Sequence, residues 1–451
     1  MPRDWDNGDS ARYRKLTIEG HVGNPYIEAL PPRLDPVQAG PLMVDGPTYQ
    51  DEFRRAPAGD RVAAVDLIKD WFVPLPQHYL LYEDVDRLMR SGYVDRNPLG
   101  PAYARAFHEG FEHLLRTPPQ NALPGRTLTI VGESGVSKSR GIDAVLSLYP
   151  PVIRHREYRG APFILYQLPW LKLTCPTNGS FKSTLLTFFE IVHELVNEPT
   201  SYRRESIEHL IVRMAIVAHR HGLGLLVIDE VQQLLNAGKD TATDILHYFI
   251  ALQNTVGVPL VLIGHESVES TLRTLQGEAQ RFSGEGNYRL VGLPEGRLWD
   301  YFLRRLWRLQ WTATPTTLTD EWSRALYAYT QGNPAVTVKL YQALQRDAIR
   351  QCGDEVLLID RLEPVWRTAF TYMPDPPGLR ASVPELSASP EPIKLETAKT
   401  ATKRPTAVPK NGLAGLVDDA LKRRNDPLEL LQSMGIRKPA QEWFPGASWN
   451  V

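Results

Sequence analysis

Eight residues carry the densest chemical signal in this chain of 451: Gly132-Glu133-Ser134-Gly135-Val136-Ser137-Lys138-Ser139. They follow the apolar run Leu128-Thr129-Ile130-Val131 and precede a helical pattern that continues through Val145 and Leu146. Strand, glycine loop and helix in that order form a phosphate cradle. Backbone amides at the helix N-terminus point inward around a β-phosphate, Lys138 reaches the β- and γ-phosphates, and the Ser139 hydroxyl binds Mg²⁺. The bland alternative is a serine-rich turn between a strand and a helix. Further along, Leu225-Leu226-Val227-Ile228 reads as a buried strand ending in Asp229-Glu230. Two carboxylates there can divide the chemistry between them. Asp229 holds the Mg²⁺ shell, and Glu230 orients and activates the water that attacks the γ-phosphate. A solvated strand end is the plain reading of that pair alone, but both motifs in this order point to a bound nucleotide. A third run, Pro259 to Gly264, delivers His265 to the same sheet edge. His265 reads either as a sensor of the γ-phosphate or as a loop histidine facing solvent.

The elements that must hold these groups follow from composition and periodicity. Residues 1–76 are rich in Pro and Gly, with Asn24-Pro25, Pro31-Pro32 and Gly46-Pro47, and read as an extended N-terminal arm. Residues 77–120 show helical spacing, with Leu80, Leu81, Val85, Leu88 and Met89 on one face, then Tyr103, Phe107, Phe111, Leu114 and Leu115 on another, which predicts a helical adaptor. Short β-branched runs alternate with amphipathic segments over 121–295, so the core is of the α/β class, a parallel sheet flanked by helices. Residues 296–373 read as a helical lid, broken at Gly332-Asn333-Pro334. Residues 374–411 turn to Pro, Ser, Thr, Lys and Glu and read as a disordered linker. Beyond it, 412–451 forms a tail with short amphipathic stretches and an apolar ending, Trp443, Phe444 and Trp449. That tail is expected either to dock on a partner or to pack on its own body.

Hydrophobic residues make up 42 % and charged residues 23 % of the chain, the balance of a globular protein. Lys and Arg number 51 against 52 Asp and Glu, so any nucleic-acid contact must come from a local stripe rather than a global field. Two distant cysteines, Cys175 and Cys352, give neither a disulfide framework nor a four-ligand zinc set, and fit a reducing cytosol. The opening Met1-Pro2-Arg3-Asp4-Trp5 has no apolar signal core, and no stretch reaches the roughly 20 apolar residues of a membrane span. A cytoplasmic protein, associated with the nucleoid and not with membranes, is expected.

Several segments go beyond the phosphate chemistry. Leu171 to Ser180 (LKLTCPTNGS), Thr187-Phe188-Phe189, Leu223 to Gln232 (LGLLVIDEVQ), Gln253 to Pro259 (QNTVGVP), Leu306-Trp307 and Gln310-Trp311-Thr312 together resemble the TnsC family. These are AAA+ P-loop NTPases that regulate transposons of the TnsABC and CRISPR-associated types and are related to TniB. The resemblance covers roughly residues 100 to 350. It implies ATP and Mg²⁺ as cofactors and an ATP-dependent ring or filament of this chain on duplex DNA, bound without regard to sequence. It also implies a TnsD or TniQ target selector that recruits the filament, a TnsA/TnsB transposase that reads it, and hydrolysis that dismantles it. By the same resemblance Arg281 is the finger offered to a neighbouring subunit's γ-phosphate. Lys172 and Lys182, with Arg203 and Arg204 behind them, are the candidate DNA contacts, although each also reads as an ordinary solvated charge. The chain departs from the family where Ser137 replaces the usual glycine, His265 the usual threonine and Gln280 one of two paired arginines. Those departures point to slow hydrolysis. Two other readings stay open: a nucleotide-gated scaffold that hardly hydrolyses, and a different AAA+ loader or signalling NTPase.

Overall fold

The computed structural model describes residues 9–101, 103, 126–197, 204–235, 245, 247–249, 252–253, 256–269, 285–351, 353–374 and 376. Arg203, Gln280 and Arg281, most of the second adaptor face, and nearly all of the expected linker and tail lie outside those residues. The chain divides into two units, Met1–Met373 and Pro374–Val451, and every element below belongs to the first.

Five parallel strands form the central sheet, in the order β5 (Leu171–Thr174), β6 (Leu226–Asp229), β7 (Leu260–Gly264), β2 (Thr127–Gly132) and β8 (Asn287–Leu290). Because strand side chains alternate faces, each strand feeds two cores. Leu226, Ile228, Leu260 and Leu262 enter one, under the helices Phe181–Val196 and Ile207–Arg220. Leu225, Val227, Val261 and Ile263 enter the other, under the helices Lys138–Leu146 and Pro76–Val94. Burial on both faces explains the unbroken apolar runs of β6 and β7.

A smaller sheet joins β1 (Asp9–Ser10), β3 (Ile153–Tyr158) and β4 (Ala161–Gln167), with β1 parallel and β4 antiparallel to β3. Residues 9–76, read from sequence as an extended arm, instead hold the short helices Pro25–Ala29, Pro36–Met43 and Ala58–Asp66. Pro25, taken from sequence as a breaker, starts a helix, and so does Pro36. Asn24 and Asp35 cap the first two through their side chains, and Pro25 and Pro36 occupy the first turn, where no amide is needed. Tyr26, Ile27, Leu30, Ala39 and Met43 are buried in the second core, which fixes these helices against it.

The lid region contains helices Arg297–Trp307, Asp320–Thr330, Pro334–Arg350 and Leu362–Ala369. It is tied to the N-terminal region: Arg61 pairs with Glu355 through both guanidinium nitrogens, and Gln342 Nε2 donates to the Val65 carbonyl at 2.9 Å. Among the described residues, no helix is long and apolar enough to cross a membrane.

Candidate nucleotide site

Strand β2 is buried along its whole length and turns at Gly132 into the loop that leads to helix Lys138–Leu146. Two loop glycines are set by close approach. A Cβ on Gly132 would sit 2.1 Å from the Leu290 carbonyl oxygen of β8, and one on Gly135 would sit 2.6 Å from Asn333 Oδ1 of the lid. Ser137, where a glycine is usual, holds φ 68° and ψ 26°, the left-handed region, and its side chain makes no capping hydrogen bond. The turn therefore demands the backbone geometry of glycine even though a serine occupies it. Lys138 Nζ donates to the carbonyls of Gly132 at 2.8 Å and Glu133 at 2.5 Å, folding the ammonium over the loop. Burial pushes its pKa down, opposed by the carboxylates of Glu230, Asp229, Glu266 and Glu133.

Parallel pairing brings the second motif to the same edge. Asp229 ends β6 at 3 % exposure; one carboxylate oxygen accepts from the Glu230 amide at 2.9 Å and the other lies 3.1 Å from Lys172 Nζ. Lys172 also reaches Asp143 Oδ1, at 2.7 Å, on the helix that follows the phosphate loop. The register of β5 against β6, Leu171 with Leu226 through Thr174 with Asp229, turns Lys172 into this site. Lys172, expected from sequence as a DNA contact, bridges two acids beside the phosphate loop, with its side chain only 17 % exposed. Lys182 is half-buried on helix Phe181–Val196, and Arg204 is exposed before helix Ile207–Arg220.

Glu230 takes φ 57°, a second non-glycine residue in the left-handed region, just where its carboxylate must leave the strand and face the cavity. Gln232 then links two strand ends. Its carboxamide nitrogen donates to Glu230 Oε2, and its oxygen accepts from the His265 amide at 3.0 Å. The His265 side chain is exposed and lines the same cavity as Lys138, Ser139 and Glu230. Cys175 sits beside this edge, its thiol pushed up to about 12 by burial and by Asp229 and Glu230, so it stays a neutral packing group.

The cavity measures about 610 Å³ and opens between three regions. The phosphate loop forms its floor, the segment Lys69 to Val73 with Leu75 one wall, and Phe302, Pro334, Val338 and Lys339 of the lid the other. That volume suits a nucleotide. Lid and loop are joined directly: Asn333 Nδ2 donates to the Ser134 carbonyl at 2.9 Å, and the Ala335 amide to the Gly135 carbonyl at 3.1 Å. Among the described residues no cluster of three or more His, Cys, Asp or Glu forms a cage for a metal. Asp229 and Ser139 offer hard oxygen donors of the kind Mg²⁺ takes when phosphates and water supply its remaining ligands, so the residues fit that ion. Sequence reasoning missed Gln232, the Trp71-Phe72-Val73 wall and Phe302. The signal for the wall was a short apolar run inside an otherwise polar arm.

A family profile described as an AAA domain matches residues 124–272. The match spans both phosphate motifs and His265, and with the five-stranded parallel sheet flanked by helices it gives the AAA+ P-loop NTPase fold. Such a domain carrying these side chains points to nucleoside triphosphate hydrolysis. Comparison with curated proteins gives no match. Among solved structures, Cdc6p from Pyrobaculum aerophilum is similar at 13 % identity and TM-score 0.41, covering 72 % of this chain and 72 % of that one. The Walker-type ATPase PABY2304 of Pyrococcus abyssi is similar at 16 % identity and TM-score 0.37, covering 60 % and 73 %. Domain III of the Thermotoga maritima replication initiation protein DnaA is similar at 14 % identity and TM-score 0.36, covering 66 % and 99 %.

Proposed function

We propose that this chain is an ATP-dependent regulator of DNA transposition of the TnsC type, which assembles on duplex DNA with ATP and Mg²⁺ bound and is released by hydrolysis. The observation that carries the ATPase half is the meeting of Lys138, Glu230 and His265 around one cavity at the end of neighbouring parallel strands, with Asp229 ending the strand that delivers Glu230. Lys138 and the loop amides hold the phosphates. Ser139 and Asp229 hold Mg²⁺, which polarises the γ-phosphate when bound. Glu230 takes the proton of the attacking water, and Gln232 fixes the angle at which it does so. The regulatory half is supported by the sequence segments that resemble TnsC, several of which lie around this site: Leu171–Thr174 is β5, and Leu226–Asp229 is β6. A homo-oligomeric ring or filament, with Arg281 supplied across the subunit boundary, belongs to the same proposal. So do the TnsD or TniQ selector, the TnsA/TnsB transposase and a tail that contacts it.

The test is electron microscopy of the protein with duplex DNA and no nucleotide, ADP, or a non-hydrolysable ATP analogue. Rings or filaments with the analogue alone support the reading; monomers in every condition leave a nucleotide-binding protein and sink the transposition reading. One second reading has an observation in its favour. Strain at Ser137 and the occupation of Asp229 by Lys172 suit a scaffold that binds ATP but turns it over slowly. Glu230→Gln separates the two, because it leaves filaments intact and removes phosphate release from an enzyme. A wild type that releases no phosphate establishes the scaffold.

A further inference from the structure

The β1-β3-β4 sheet presents a surface the nucleotide site does not use. Tyr13, His155 and Tyr158 face inward, a break in register between His155 and Glu157 resetting the strand alternation, and Tyr13 bonds His155 Nδ1 at 2.7 Å and packs edge-on against Tyr158. Ser10, Arg12, Arg154 and Arg156 are left on the outer side, with the acid Glu157 exposed beside Arg156. The parallel register pairs Ser10 with Arg154 and is extended by the bond from the Ala11 amide to the Arg154 carbonyl. Arg12 lies two residues past Ser10, beyond the end of β1, and Arg156 two residues past Arg154 on β3. Like charges gathered on one face repel, which favours an anion bound over them. Neither Arg12 nor Arg156 has an ion-pair partner among the described residues, and both are exposed.

Arg154 adds a second observation. Its guanidinium lies over the Tyr166 ring at 5.2 Å, and its Nε is buried with no hydrogen-bond partner. Strand β4 brings no charged residue to this face, and Ile164 is 85 % exposed on it. Arg159, at the hairpin turn, is paired with Glu28 at 3.0 Å and is not part of the set.

We infer that the outer face of the β1-β3-β4 sheet is a docking surface for the phosphate backbone of duplex DNA. The inference rests on the proposed function, which calls for duplex DNA. Arg154 and Arg156, two residues apart on β3, are spaced by about 6.6 Å along the strand, with Arg12 beyond the end of the neighbouring β1. That array meets a linear run of phosphates, with no pocket to read a base edge, so binding is insensitive to sequence. An acidic peptide would need apolar anchors beside the charges, and on these three strands Ile164 alone is a large exposed apolar residue among those described.

The experiment measures anisotropy of a labelled duplex with the full chain and a non-hydrolysable ATP analogue across a salt series. Arg12→Gln with Arg156→Gln should make the slope of log affinity against log salt less negative by about 1.8, equally on two unrelated sequences. A control pair on a lid helix and its end, Arg304→Gln with Arg308→Gln, should keep the wild-type slope. An unchanged slope in the first pair, or an equal change in the control, overturns the surface. A wild type that binds no duplex overturns the DNA reading itself. The two failures are distinct, since in the first the wild type still binds.

Discussion

Replacing Ser137 by glycine should make this protein more stable although it removes atoms. Ser137 holds φ 68°, a region that costs an L-residue about 1–2 kcal/mol, and its hydroxyl makes no capping bond to offset that. Glycine relieves the strain but gives the unfolded chain more freedom, which takes back about 0.5–1 kcal/mol. The net gain is about 0.5–1 kcal/mol, or roughly 1–3 °C in Tm for a chain of this size. Scanning fluorimetry reads it directly, without nucleotide and with ATP analogue and Mg²⁺. Because the turn is the same cradle in both states, the shift should appear in both. Ser137→Ala separates backbone from hydroxyl: it keeps the strain and should leave Tm nearly unchanged. A glycine variant that melts at or below wild type, or an alanine variant that gains as much, would refute the strain argument.

Lys172→Met leaves the buried Asp229 without its cation and should destabilise the nucleotide-free protein by about 1–3 kcal/mol. Mg²⁺ with ATP should restore most of that, so the thermal shift on adding it will exceed that of wild type; an equal shift counts against the shared carboxylate. Gln232→Leu frees Glu230 and should lower the rate of phosphate release roughly ten- to hundredfold with KM little changed. Gln232→Asn should recover part of the rate, and a change confined to KM would place Gln232 outside the chemistry. Buried His78 has its pKa lowered to about 4 by desolvation, so the unfolded chain takes up the proton first. Its contribution is therefore complete above about pH 6.5 and is lost as pH falls toward 4, about 2 kcal/mol by about pH 5. Urea unfolding of His78→Asn, which keeps an acceptor for the Leu75 amide, should show a shallower acid decline; an identical decline assigns it to other groups.

The phosphate loop, both carboxylates and His265 were legible because each follows a continuous apolar run, and parallel pairing delivers all such strand ends to one edge. The arm was not legible. Asn24-Pro25 and Asp35-Pro36 carry the same residue types as a turn, and only burial of Tyr26, Ile27 and Met43 against the second core decides for a helix. The pairing of Lys172 with Asp229 was not legible for a related reason. A lysine on a short strand looks solvated until the register with β6 is known, and that register places Asp229 within 3.1 Å of it. The Lys69–Val73 wall joins the site from a stretch far upstream of the phosphate loop, so its apolar run gives no sign of which site it joins.

The bonds from Asn333 and Ala335 to the phosphate loop give the lid a mechanical role. Helix Pro334–Arg350 has 17 residues, so its far end stands about 25 Å from the loop carbonyls that hold its start. A tilt of roughly 5° at that hinge, a small movement around a γ-phosphate, carries the far end about 2 Å. The helix is thus a pointer whose pivot is the phosphate cradle. Gln342 and Glu355 bond the same lid to Val65 and Arg61, so a tilt that begins at the phosphate loop would be passed on to the N-terminal helices.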